Sequence, residues 1–185
     1  MHPQPPRRTT HAYGTPKNLI VYDRWGRFGR PVVLLHGLCY DRTMWWPVAA
    51  ELGAACAAVA VDLPGHGESA PREDYGLDAV AHDLAMLVHG LDLRRAPILV
   101  AHAESALLAA AFAERFVTRT VIRVGSGPPG EEEIPEPYRQ FAVPRQDSGL
   151  RRSYRDWIGP QPDARAGFPH LRDPAGFAAR LQSVG

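Results

Sequence analysis

Apolar positions along this chain keep two rhythms, which alternate from residue 18 to residue 124. Short strand candidates cover residues 18–25 (NLIVYDRW), 31–35 (PVVLL), 54–61 (AACAAVAV), 98–100 (ILV) and 120–124 (TVIRV), and 31–35, 54–61 and 98–100 are apolar throughout. A run without polar alternation predicts a strand covered on both faces, as in a parallel sheet. Between these runs the period lengthens. Leu77, Val80, Ala81, Leu84, Leu87, Val88 and Leu91 recur at helical spacing, which predicts an amphipathic helix. Residues 43–52 (TMWWPVAAEL) and the alanine-rich stretch 104–116 predict two more helices. Strands that alternate with helices give an α/β fold, a doubly wound and mostly parallel sheet.

Outside that span the rhythm is lost. Residues 1–17 are polar and proline-rich at their start, and read as a flexible N-terminal arm ahead of a core over 18–130. Residues 131–185 are rich in Pro, Arg, Asp and Glu, with short helical stretches near 154–158 and 175–181. They read as a partial cap segment, so that the C-terminal part of the sheet is missing or replaced by that short cap.

Composition narrows the class. With 185 residues, 45% hydrophobic and 22% charged, the chain suits one globular domain with a real core. A net charge of +1 gives no general attraction to nucleic acid, and Arg7-Arg8, Arg94-Arg95 and Arg151-Arg152 are only pairs in sequence. Two cysteines, Cys39 and Cys56, make neither a disulfide framework nor a CxxC metal motif. The N-terminus has no apolar signal-peptide core. No run approaches the roughly 20 apolar residues needed to cross a bilayer. The expectation is a cytoplasmic protein without membrane contact, metal or cofactor, whose partner is a small-molecule substrate or ligand.

Three turns carry candidate chemistry. His36-Gly37 ends one apolar run. Asp62-Leu63-Pro64-Gly65-His66-Gly67-Glu68-Ser69 ends the next, with Gly65 and Gly67 supplying unusual backbone angles. Ala101-His102-Ala103-Glu104-Ser105 lies between a strand and a helix, in the layout of a nucleophile elbow. As an ordered set these turns resemble the α/β-hydrolase family, in its esterase, epoxide hydrolase and dehalogenase-like branch. The resemblance covers about residues 18–130. It implies hydrolysis of an ester- or amide-like bond through a serine, with the backbone N–H groups of Leu38 and Glu104 as an oxyanion hole. It also implies a substrate pocket near His36, Gly37, Cys39, Trp45 and His102.

The family elbow reads glycine-x-serine-x-glycine, and here the serine position holds Ala103. A methyl group cannot attack a carbonyl. Ala103 is then either the natural residue of a non-catalytic pseudo-hydrolase that binds a small apolar ligand or a partner protein, or a replacement for serine in an ordinary enzyme. A third alternative shifts the turn and makes Ser105 the nucleophile, which needs two extra residues in the strand. The triad's base and acid have no clear occupants. His170, with Asp173 beside it, has no strand before it, and the run Glu131-Glu132-Glu133 reads as a solvated loop. Whether the natural chain runs on past Gly185 stays open. If the last strands are missing, an unpaired sheet edge is exposed and invites self-association.

Overall fold

A computed structural model describes residues 7–125, 133–146, 148–158 and 167–184. Six strands form one sheet: β1 (Arg8–Tyr13), β2 (Ile20–Trp25), β3 (Arg30–Leu35), β4 (Cys56–Val61), β5 (Ile98–His102) and β6 (Thr120–Val124). Their order across the sheet is β1-β2-β4-β3-β5-β6. β1 and β2 run antiparallel to their neighbours, while β4, β3, β5 and β6 run parallel. The expected mostly parallel α/β sheet is therefore present.

Every residue of β4 and β5 is buried, which is why their sequences show no alternation. Helices cover both faces. α1 (Trp46–Glu51) follows a 3-10 turn over Arg42–Trp45, α2 is Leu77–Gly90 and α3 is Ser105–Arg115. Farther on come α4 (Glu136–Arg139), α5 (Ser148–Ser153), α6 (Arg155–Ile158), α7 (Pro169–Arg172) and α8 (Pro174–Ser183). On one face α2 and α3 cover Val33, Leu35, Val59 and Leu99, and Tyr154 and Trp157 join them. On the other face α1 and α8 cover Val32, Leu34, Ala58 and Val100.

Two expectations are corrected. Residues 8–13, read as part of a loose arm, are a strand instead. Thr9, Thr10 and His11 are exposed, so no apolar signal marks them, yet the strand is held by a full ladder from Arg8↔Trp25 to Tyr13↔Ile20. The last segment, read wholly as cap, is core from residue 169 onward. Phe177, Ala178 and Leu181 line one face of α8 and are buried against the α1 side of the sheet. Asp173 caps that helix by accepting from Gly176 N–H at 2.9 Å. The helix itself falls on the stretch expected near 175–181; its docking on the sheet is what the sequence did not show.

Candidate active site

The parallel strands β3, β4 and β5 end on one side of the sheet, and their three turns meet there. Ala103 heads the turn after β5 with φ of 50°, in the left-handed region that β-carbon sterics disfavour. The turn is held in place by its bonds. Ala103 N–H donates to Val124 O on β6 at 2.8 Å, Ala106 N–H donates to Ala103 O at 3.1 Å, and the Ser105 hydroxyl donates to His36 O. Small residues permit this. Ala101 and Ser105 are both fully buried, and only short side chains fit where helix meets strand. Ser105 sits in the first turn of α3 with its hydroxyl committed, so the shifted alignment of the elbow does not hold.

Gly37 and His102 meet Ala103 closely. A β-carbon at Gly37 would lie 2.5 Å from His102 Nδ1 and 3.5 Å from the Ala103 methyl. Gly37 is needed here because the β3 turn passes directly over the β5 turn. Gly67 has a different reason: it has φ of 52°, and a β-carbon there would strike the Asp62 carboxylate.

His36 and His66 tie the loop after β3 to the loop after β4. Leu63 N–H donates to His36 Nε2 at 3.0 Å, so its Nδ1 carries the proton and donates to Gly37 O at 2.8 Å. Cys39 N–H donates to His66 Nε2 at 3.1 Å, and His66 Nδ1–H donates to Pro64 O at 3.1 Å. The two rings lie 4.8 Å apart. Burial pushes His36 down to about 4 and His66 down to about 3, so both stay neutral. Neither ring is free to line a pocket, contrary to the reading of His36. Cys39 is half-buried with φ of 71°, and its carbonyl accepts from Arg145 N–H at 2.7 Å.

His102 is fully buried, and burial pushes it down to about 4. It stacks on Phe168 at 5.0 Å and bonds Gly167 O at 3.0 Å through Nε2. Trp45, expected at the pocket, is instead fully buried between α1 and α8, 4.3 Å from the His170 ring. Burial holds His170 well below the ordinary imidazole range. Among the described residues neither ring nitrogen of His170 has a hydrogen-bond partner, and the same is true of Trp45 Nε1 and His102 Nδ1.

Leu38 is buried and Glu104 half-buried. Leu38 follows Gly37 and Glu104 follows Ala103, each one residue beyond one of the two turns that touch. Two arginines from the segment 133–158 reach this region. Arg151 on α5 pairs with Glu104 at 2.8 Å, and Arg145 pairs with Asp41 at 3.3 Å. Neither arginine, nor Tyr40 or Phe168 beside His102, was marked by any motif in the sequence. Glu133 is exposed and pairs with Arg139, away from the turns, while Glu131 and Glu132 lie outside the described residues. Among the described residues no carboxylate hydrogen-bonds a histidine ring. Nor does any group of three or more His, Cys, Asp or Glu among them converge as metal ligands.

Comparison with known proteins adds to this geometry. Residues 32–184 match the alpha/beta hydrolase family. An uncharacterized protein of Mycobacterium tuberculosis is 37% identical over 89 residues, which are 48% of this chain and 26% of that one. An esterase of Mycobacterium tuberculosis is 49% identical over 51 residues, covering 28% of this chain and 16% of its own length. Among solved structures, the thioesterase domain from the curacin biosynthetic pathway aligns with TM-score 0.59 and 26% identity, over 74% of this chain and 50% of that one. The chain thus matches about a quarter or less of these curated relatives and half of that solved domain.

Proposed function

The chain belongs to the alpha/beta hydrolase family, and we propose that it keeps the acyl-binding end of a hydrolase site without the nucleophile, holding a small carbonyl-bearing or apolar molecule without turnover. The parent reaction is hydrolysis of an ester- or amide-like bond by a serine at position 103. Leu38 and Glu104 N–H groups form the oxyanion hole. The observation that carries this reading is the left-handed φ of Ala103. A non-glycine residue held there is the strained turn that lifts a nucleophile off the end of a sheet, and the bonds to Val124 and His36 maintain it with a methyl in place.

The other triad members support the same reading. A serine needs a histidine that can take its proton, oriented by a carboxylate. The histidines nearest the turn are buried, resist protonation and lack a carboxylate partner among the described residues. Esterase and methyl ester esterase activities named for the relatives fit an acyl-type parent substrate.

The test is a fluorophosphonate probe on the full chain. We expect no labelling, and labelling at any residue overturns the assignment. Ala103→Ser should raise ester hydrolysis by less than about 10³-fold, because a nucleophile without its base gains little. A larger gain would reveal a working base and make the wild-type chain an enzyme lacking one atom.

A further inference from the structure

The opposite end of the sheet holds a feature unrelated to the elbow. Arg30 opens β3, Arg95 and Ala96 precede β5, and Thr118 and Arg119 precede β6. Parallel pairing, with Val32 opposite Ile98 and Ile98 opposite Thr120, brings these three strand starts side by side. Together they line a cavity of about 570 Å³. A second cavity of about 510 Å³ shares Arg95 with it and adds Arg24, Arg27, Arg94 and the apolar residues Phe28, Leu91 and Leu93. Six guanidinium groups thus border two adjoining cavities in a chain whose net charge is +1.

The counter-charge there is sparse. Among the described residues lining the two cavities the one acid is Asp92, in the second. Among the described residues no carboxylate pairs with Arg27, Arg30, Arg94 or Arg95. Arg30 spends one N–H on Gln182 O at 2.9 Å and retains further donors. The C-terminal ends of α2 and α3 reach this side, but each carries only about half a negative charge. Phe28 is 74% exposed and lines the second cavity.

We propose that this floor binds a phosphorylated small molecule: the phosphate between Arg30, Arg95, Arg119 and the Thr118 hydroxyl, and an apolar or aromatic moiety against Phe28. Planar guanidinium forks suit phosphate oxygens by paired N–H bonds, and both volumes fall in the range of small-ligand sites. The site lies one strand length from the elbow, about 16 Å along the five residues of β5. It is therefore independent of the proposed acyl site.

Inorganic phosphate and phenyl phosphate titrated calorimetrically into the full chain test this. Both should bind saturably. Arg95→Ala and Arg119→Ala, at exposed positions, should each weaken both ligands about tenfold or more, Arg95→Ala without changing Tm. Phe28→Ala should weaken phenyl phosphate alone, and Arg139→Ala, on the cap, should change neither. Absence of saturable phosphate binding, or Arg95→Ala and Arg119→Ala both without effect, overturns the proposal. Binding of a DNA oligonucleotide without binding of phosphate also overturns it, in favour of an extended polyanion.

Discussion

Ala103 is a residue whose backbone asks for something its side chain does not supply. Its φ of 50° is a conformation that costs a β-carbon-bearing residue about 1–2 kcal/mol, and no hydroxyl gives a chemical return. Ala103→Gly should therefore leave stability unchanged or raise it by up to about 1 kcal/mol in urea unfolding, opposite to the usual effect of glycine next to a helix start. A loss above 1 kcal/mol would show that the methyl packs usefully against Gly37. The buried histidines set a second residue-level expectation. His36, His66 and His102 sit near 3–4 when folded, against about 6.5 when unfolded. As pH falls below 6.5 the unfolded chain takes up protons that the folded chain refuses. Stability is then fully present above 6.5 and is lost toward 4, by about 1.4 kcal/mol per pH unit for each histidine. A urea midpoint that stays flat between pH 7 and 5 would contradict this. At this scale the sequence was legible where a residue had one physical reason to be there, as with Gly65 and Gly67, whose left-handed backbone the turn required. It was opaque for Trp45 and His36, whose burial depends on elements far away in the chain.

Among elements, the strongest polar junction joins β2, the turn before α1 and the loop after β4. Arg42 meets Asp23 at 3.1 Å and also pairs with Asp62 and Glu68. Asp62 further accepts from Arg42 N–H at 2.7 Å and Glu68 N–H at 2.9 Å, and Trp46 Nε1–H donates to Asp23 at 2.7 Å. Burial opposes the Arg42 charge, but Asp62, Glu68 and Asp23 outweigh it and hold the guanidinium firmly protonated. Arg42→Ala strands two fully buried carboxylates and should cost about 3–5 kcal/mol, seen as a drop in Tm with acid conditions narrowing the gap. Five strands and the helices α1, α2 and α3 could be read from the sequence pattern because their burial is continuous or one-sided. β1 could not, since an exposed edge strand carries almost no pattern, and α8 showed only as a short helical stretch near 175–181, without its docking against the sheet.

For the whole molecule, the sheet ends at β6 among the described residues, with Val121 and Ile122 half-buried. A terminal strand with half-covered apolar residues should draw a second copy. We expect concentration-dependent association in sedimentation, reduced by Ile122→Lys; a monomer at every concentration would argue against it. No described helix is long and apolar enough to cross a membrane. The arginine floor shows what a linear reading misses. Residues 30, 95 and 119 are scattered in sequence, and only parallel pairing gathers them, so a charge count near zero concealed a local concentration.

The ring of Trp45 lies against His170 and Phe177, within reach of both α7 and α8. That contact makes the indole an optical reporter of how the chain's last helices are seated. While they are docked, the dry surroundings keep its emission at short wavelength; once water enters, the emission reddens. An imidazolium at His170 would quench the neighbouring indole, so dimming without reddening marks proton uptake in place, and reddening marks departure of the helices from the sheet.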